Sequence, residues 1–137
     1  MKKTIFLLLS LIAFSCTKQT PEEKLSNLEG YWEIQSVEMQ DGSDRDYSIS
    51  AIVDFIKLNG TKGKRTKVSP QLDGSFKTNG SVELFTAKVE NDSLNLYYKT
   101  PYDTWKETVI KAEDSILVIK NRDDKIYTYK KFVKFDF

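Results

Sequence analysis

Short runs of aromatic and β-branched residues, separated by turn-forming residues, follow one another from Leu28 to the end of the chain. Several runs alternate apolar and polar positions, as in Leu94, Leu96 and Tyr98, which is typical of strands with one buried face. No long window in this region has its apolar residues at helical spacing. The pattern therefore predicts eight strands, over residues 31–39, 48–58, 63–69, 81–90, 94–100, 104–112, 116–121 and 125–134.

The predicted strands are joined by short segments that tolerate tight turns. Asn59-Gly60, Asp73-Gly74, Asn79-Gly80 and Asn91-Asp92 combine residues that accept a left-handed backbone. Neighbouring strands are therefore expected to pair as antiparallel hairpins. Eight such strands suit an all-β, antiparallel up-and-down barrel.

The first predicted strand changes its alternation part of the way along. Trp32 and Ile34 share one parity, whereas Val37 and Met39 have the other. A one-residue bulge near Gln35-Ser36 would place all four side chains on the core side of the sheet. Such a bulge also bends a strand, which helps a sheet to close.

A different pattern occupies the amino terminus. Lys2 and Lys3 precede an apolar run from Ile5 to Phe14 that only Ser10 interrupts. This run is too short for a membrane-spanning helix, which needs roughly 20 residues to cross ~30 Å of hydrocarbon. Residues 1–15 are therefore predicted to be a secretory signal peptide.

Cys16 follows this segment and is the only cysteine of the chain. The sequence Ala13-Phe14-Ser15-Cys16 resembles the lipobox of bacterial lipoproteins, which implies that Cys16 becomes a lipidated amino terminus. The resemblance implies a protein anchored to a membrane of the bacterial cell envelope, on its periplasmic side or at the cell surface. The alternative is ordinary cleavage after Ser15, which would leave a free thiol in an oxidising compartment.

Residues 16–27 are predicted to form the lipidated end and a polar tether, and residues 28–137 the barrel domain. Leu25 is the only apolar aliphatic residue within the tether, and Pro21 with Glu22 and Glu23 suits a single helical turn. Removal of Lys2 and Lys3 with the signal lowers the basic residues from 21 to 19 against 20 acidic ones, a formal charge of −1. This balance gives no indication of a nucleic-acid partner.

The residue types most often used as general bases and soft metal ligands are missing from the predicted domain, whereas acidic residues are numerous but lie mostly in predicted turns. The chain contains no histidine, so the commonest general base and metal ligand is missing. The acidic loop from Asp41 to Asp46 lacks a glutamate at the last position of a calcium loop. The sequence therefore predicts a protein that is not an enzyme and that uses no metal or cofactor.

Gly30-Tyr31-Trp32 opens the first predicted strand and resembles the Gly-x-Trp signature of lipocalins, in particular the lipocalin-like domain of small bacterial lipoproteins. The resemblance covers Leu28 to about Phe135. It implies that Gly30 allows a tight turn and that Trp32 plugs the closed end of a calycin-type barrel. Lipocalins place an arginine over this tryptophan, and here Lys130 or Lys131 would take that place.

Every aromatic residue except Phe6 and Phe14 belongs to the predicted domain. An eight-stranded barrel has room for a packed interior or for one small ligand. The leading hypothesis is a membrane-anchored barrel that binds a small apolar or amphipathic molecule; the alternative is a filled barrel that acts as a structural or interaction module, as a subunit or an inhibitor. A cavity of about 300 Å³ or more would favour the first. The expected lining residues are Trp32, Phe55, Tyr97, Trp105 and Tyr129.

Two further patterns have more than one interpretation. Asp92-Ser93-Leu94 and Asp114-Ser115-Ile116 resemble sites of periplasmic O-glycosylation, and each is also an ordinary hairpin turn. The basic residues Lys62, Lys64, Arg65 and Lys67 either face anionic lipid or polysaccharide, or form one exposed face of a strand.

Overall fold

The computed structural model describes residues 17–134, so the predicted signal peptide and Cys16 lie outside the described residues. A short helix precedes a series of strands that follow one another along the chain. The elements are α1 (Pro21–Ser26), β1 (Gly30–Glu38), β2 (Asp44–Asp46), β3 (Val53–Asn59), β4 (Lys62–Pro70), β5 (Phe76–Glu90), β6 (Ser93–Lys99), β7 (Thr104–Ala112), β8 (Ile116–Lys120) and β9 (Ile126–Lys131).

The strands form one antiparallel sheet that closes on itself. From β3 to β9 each strand pairs with the next, and β1 pairs with both β3 and β9. The closing register places Trp32 opposite Lys131 and Ile34 opposite Tyr129. The short strand β2 lies along the second half of β1. The result is a closed eight-stranded antiparallel barrel of β1 and β3–β9, which confirms the predicted fold class.

The predicted bulge in the first strand is present. The register between β1 and β9 shifts between Ile34 and Ser36, so Val37 lies opposite Tyr127. Ile34 and Val37 therefore face the same side of the sheet as Trp32, although their sequence parities differ. The polar residue at Gln35 is the one that the bulge displaces from the register.

Several strand bounds differ from the prediction: β2 was not predicted, and β9 ends at Lys131 rather than at residue 134. Strand β3 begins at Val53 rather than at residue 48, because residues 47–52 form a loop in which Ile49 is exposed and the Ser50 hydroxyl donates to Ile52 O. Strand β5 begins early, at Phe76. The Asn79-Gly80 pair predicted as a turn instead lies inside β5, where the register with β4 is irregular and Gly80 has a φ of +80°.

Residues 19–27 of the predicted tether are folded against the barrel. Thr20 caps α1 in a capping box with Glu23, and Pro21 occupies its first turn. The Gln19 side chain donates to Ala112 O and accepts from Ala112 N–H at the end of β7. The segment predicted as a polar tether thus contains the expected helical turn, and its Leu25 packs against the buried core, which shields this side chain from water.

The buried core fills the half of the barrel next to α1. Trp32 is fully buried, and its indole N–H donates to Leu28 O at 2.9 Å. Around it lie aliphatic and aromatic side chains from β3 and β5–β9. These are Ile56, Phe85, Ala87, Leu94, Leu96, Tyr98, Val109, Ala112, Leu117, Ile119 and Tyr129.

Candidate functional site

The end of the barrel next to α1 is closed by the residues of the Gly-x-Trp signature. Lys131 Nζ lies 4.3 Å from the centre of the Trp32 ring and donates to Glu29 O. Gly30 has a φ of +143°, and a Cβ atom at this position would overlap Lys131 Nζ. Of the two lysines expected over the tryptophan, Lys131 is therefore the one that contacts Trp32. The absence of a side chain at Gly30 leaves room for its ammonium group.

The other end of the barrel is open to solvent. Two adjoining depressions of about 210 Å³ and 200 Å³ lie there, and Lys67, Tyr127 and Tyr129 line both of them. We call these two depressions together the mouth. Its further lining residues are Arg65, Glu83, Trp105, Glu107, Ile119 and Asn121 on one side, and Trp32, Ile34, Val37, Tyr47, Ser50, Ile52 and Asp54 on the other.

A buried arginine forms the floor of the mouth. Arg65 lies on β4 opposite Ile56, so its side chain points into the barrel. One guanidinium nitrogen donates to Asp54 Oδ2 and to the Tyr129 hydroxyl, both at 2.7 Å. The other lies 3.2 Å from Glu107 Oε2. Lys67 Nζ, on a side chain that is 60% exposed, also pairs with Asp54, at 2.9 Å.

The two carboxyl groups that pair with Arg65, those of Asp54 and Glu107, have pKa values shifted in opposite directions. Burial opposes the ionisation of Asp54, but Arg65 and Lys67 together outweigh it and lower the pKa of Asp54. Burial dominates at Glu107, so its pKa is raised even though Arg65 lies beside it. Burial likewise raises the pKa of Tyr129 to about 12, so its hydroxyl stays protonated at neutral pH.

Every buried side-chain nitrogen and oxygen atom in residues 17–134 has a hydrogen-bond partner. A buried arginine is tolerated only when its charge and donors are satisfied. Asp54 is shared between Arg65 and Lys67, and Glu107 also pairs with Arg65. The mouth therefore offers a charged, hydrogen-bonding floor that suits a polar group.

The walls of the mouth are aromatic. Trp105 stacks on Tyr98 with ring centres 4.9 Å apart and planes 4° apart. Tyr127 and Tyr129 lie side by side with ring centres 6.4 Å apart. Flat apolar walls around a polar floor suit an amphipathic molecule with an aromatic or aliphatic part.

The structure brings together some of the predicted lining residues. Tyr129 and Trp105 face the mouth, and Trp32 lies at its base. Phe55 and Tyr97 point outward, so their assignment to the lining is corrected. Phe55 stacks on Tyr31 on the outer side of the sheet, and Tyr97 donates to Glu90 there at 2.6 Å.

Parity explains both corrections. Asp54 lies opposite Trp32, so the inward positions of β3 are Asp54 and Ile56 rather than Phe55. In β6 the buried positions are Leu94, Leu96 and Tyr98, which leaves Tyr97 outside. Both predictions followed from aromatic character rather than from alternation.

Sequence reasoning missed the charged residues of the floor. Arg65 was grouped with its neighbouring lysines as part of a basic strand, although Lys64 points outward and Arg65 inward. Alternation within Lys62–Lys67 would have separated them, since Gly63, Arg65 and Lys67 share one parity. Of the two serines in the segments that resemble O-glycosylation sites, Ser115 is exposed in the turn after β7 and Ser93 is half-buried at the start of β6.

Residues 17–134 hold no group of three or more side chains placed to bind a metal ion. None of the helices in this range combines the length and the apolar character that crossing a membrane requires.

An up-and-down barrel that is plugged at one end and open at the other has the architecture of small cup-shaped β-barrel proteins. A model of the lipocalin-like domain family matches residues 28–119, which is more than half of the chain. The chain therefore belongs to the lipocalin-like domain family.

Two solved structures resemble the chain. A lipocalin-like protein from Bacteroides uniformis ATCC 8492 is 11% identical, with a TM-score of 0.49, over 77% of this chain and 99% of its own. A protein from Bacteroides eggerthii DSM 20697, described as uncharacterized, is 11% identical, with a TM-score of 0.48, over 76% of this chain and 98% of its own. No curated protein matches the chain.

Proposed function

We propose that this protein is a binding module, without catalytic turnover, that holds a small amphipathic molecule in the mouth of its barrel. The observation that carries the proposal is the combination of aromatic walls with the Arg65 floor at the open end. The core next to α1 is filled by buried side chains, so the ligand would enter only the outer half of the barrel.

The charges of the floor favour a ligand with a polar, hydrogen-bonding head group. Arg65 and Lys67 pair with Asp54 and Glu107, and Glu83 also lines the mouth, so the floor carries charges of both signs. The apolar part of the ligand would stack on Trp105 and Tyr127. A purely apolar ligand is disfavoured, because it would desolvate these charges without replacing their water.

Native mass spectrometry of the protein purified from its own host tests this proposal, because it reports a small molecule that co-purifies. Trp105→Ala and Tyr127→Ala are expected to reduce the bound fraction, since both rings line the mouth. Tyr97→Ala is the matched control, because this ring lies on the outer face of the barrel. Equal loss in all three variants would contradict a site in the mouth.

The second part of the proposal is anchoring through lipid on Cys16. It is supported by the lipobox-like sequence before Cys16 and by the absence of a second cysteine in the chain. Intact mass is expected to show a chain that begins at Cys16 and carries lipid, and Cys16→Ala is expected to release the protein from membranes. An unmodified soluble product of the natural gene would refute the anchor without affecting ligand binding.

One observation favours the alternative function. Each of the two depressions is smaller than the ~300 Å³ typical of the smallest ligand pockets. If the side chains at their boundary do not move apart, the barrel would act through its surface as a structural or inhibitory module. Failure of apolar fluorescent probes to quench Trp105 at micromolar concentration, together with no co-purifying molecule, would favour this function.

A further inference from the structure

Lysine side chains are concentrated on the outer surface of β3–β7. The strand registers place Lys57, Lys64, Leu84 and Lys99 side by side across four strands. A second row places Lys62, Thr86, Tyr97 and Lys106 side by side from β4 to β7. We call this surface the lysine face; its cations are Lys57, Lys62, Lys64, Lys88, Lys99 and Lys106.

The charge of the lysine face is compensated only in part. All six lysines are exposed, and none of them takes part in the salt bridges found within residues 17–134. Glu83 and Glu107 lie on the same strands but line the mouth. Glu90, the acid on the outward side of these rows, accepts from the Tyr97 hydroxyl and also attracts Lys88 and Lys106, so it compensates this end of the lysine face in part. A surface of this kind attracts a polyanionic partner.

An exposed apolar side chain lies among these cations. Leu84 is 58% exposed at the centre of the first row, and Val82 is 45% exposed one position further along the outward side of β5. Lysines around an exposed leucine suit the interface of a membrane, where ammonium groups meet phosphates and the apolar group enters the head-group layer. A dissolved polysaccharide offers no such apolar layer.

The start of the described chain lies beside the strands that carry the lysine face. Helix α1 contacts β5, β6 and β7, and Gln19 is fixed to Ala112 at the end of β7. Only Thr17 and Lys18 separate Gln19 from Cys16. We infer that the lysine face rests on a surface of anionic phospholipid head groups. For the position of the membrane, the inference relies on the proposed anchor at Cys16.

Amine labelling on vesicles tests this orientation. The protein purified from its host is bound to vesicles of phosphatidylcholine alone or with phosphatidylglycerol, and the acetylation of each lysine is followed by mass spectrometry. Lys62, Lys64 and Lys99 are expected to react several times more slowly on the anionic vesicles. Lys77 and Lys134 serve as internal controls, because they are exposed and lie outside the lysine face.

Charge reversal provides the second measurement. A lysine close to an anionic surface contributes about a fivefold factor to partitioning. Lys64→Glu with Lys99→Glu is therefore expected to lower partitioning onto phosphatidylglycerol vesicles roughly 25-fold or more. Lys77→Glu with Lys134→Glu changes the net charge equally and is expected to have a much smaller effect. High salt should reduce the difference, since it shortens the range of charge attraction.

Several outcomes would overturn the inference. Equal acetylation of all exposed lysines on anionic vesicles would do so, as would equal effects of the two double variants. Protection by a soluble acidic polysaccharide but not by vesicles would indicate a carbohydrate partner instead. Protection without vesicles that increases with protein concentration would indicate a second copy of this chain. Failure of the anchor is distinguishable, because the protein would then not stay on phosphatidylcholine vesicles.

Discussion

At the scale of single residues, the closed end of the barrel shows how the lysine over Trp32 is held by its neighbours. Lys131 contacts the Trp32 ring where lipocalins place an arginine, and its ammonium group also donates to Glu29 O. The family resemblance predicted a lysine here, but it could not decide between Lys130 and Lys131. The register decides, because Lys131 lies opposite Trp32 whereas Lys130 pairs outward with Glu33.

Gly30→Ala is expected to destabilise the fold by roughly 1–3 kcal/mol, because a φ of +143° is strained for alanine and because Lys131 Nζ must move away from the new Cβ atom. Gly74→Ala is the matched control: Gly74 has a φ of +82°, but a Cβ atom there would meet nothing within 4 Å. The control should therefore cost about 1 kcal/mol, from backbone strain alone. Equilibrium unfolding in urea measures both, and equal costs would show that Lys131 yields freely.

Trp32→Ala is expected to lower the free energy of unfolding by about 3–5 kcal/mol, because it removes a fully buried aromatic side chain. The same denaturation experiment measures it. A loss below about 1 kcal/mol would contradict the role of Trp32 as the plug of the barrel.

The opposite pKa shifts at Arg65 predict opposite pH dependences. The raised pKa of Glu107 makes wild-type stability fall as the pH rises above its ordinary value of 4.5. The Glu107→Gln variant does not lose stability in this way. Its free energy of unfolding relative to that of the wild type should therefore increase from acidic to neutral pH. The lowered pKa of Asp54 adds stability above its ordinary value of 3.8, which is lost as the pH falls through the pKa of the folded state.

Asp54→Asn should therefore become less stable relative to wild type over the same rise in pH. Urea unfolding of wild type and both variants at several pH values between about 3 and 7 gives the two slopes. Slopes of the same sign would contradict the assignment of the two carboxyl groups.

At the scale of elements, alternation predicted the strands well where one face is apolar. Strands β6, β7 and β8 lie within one residue of their predicted bounds at each end. The bounds of β4, where Arg65 points inward, were also predicted to within one residue, and the prediction was poorer where apolar residues lie in a loop, as at Ile49 and Ile52. Neither local composition nor periodicity reports that Arg65 is balanced by Asp54 and Glu107, which come from other strands.

Local pattern predicted the first turn of α1, from Pro21 with Glu22 and Glu23, but not the packing of α1 against the barrel. That packing depends on Leu25 and on the Gln19 contact with Ala112, which is distant in sequence.

Limited proteolysis with a lysine-specific protease distinguishes a folded α1 from a tether. Cleavage after Lys18 is expected to be fast, since this residue is exposed, and cleavage after Lys24 slow, since it is only 6% exposed. Thr20→Ala removes the helix cap and should accelerate cleavage after Lys24. Equal rates at both lysines in the natural sequence would show that α1 is not held against the barrel.

At the scale of the whole molecule, the barrel has two ends of different character. Trp32, Lys131 and α1 close one end around an apolar core, and Arg65 with its partners forms a charged floor below the other. The fold class and the plug could be predicted from the sequence, because they depend on alternation and on a short family signature. The mouth could not, because its residues come together only through the register of several strands.

The pairing of β1 with β9, which closes the barrel, also determines the order in which the fold can be completed. Ile34 pairs with Tyr129, so one edge of β1 stays unpaired until the last strand, β9, is available. Until β9 arrives, both margins of the growing sheet are unpaired, and contacts between such distant partners form slowly. A chain that is still emerging from a ribosome is thereby prevented from completing its fold before β9 has been synthesised.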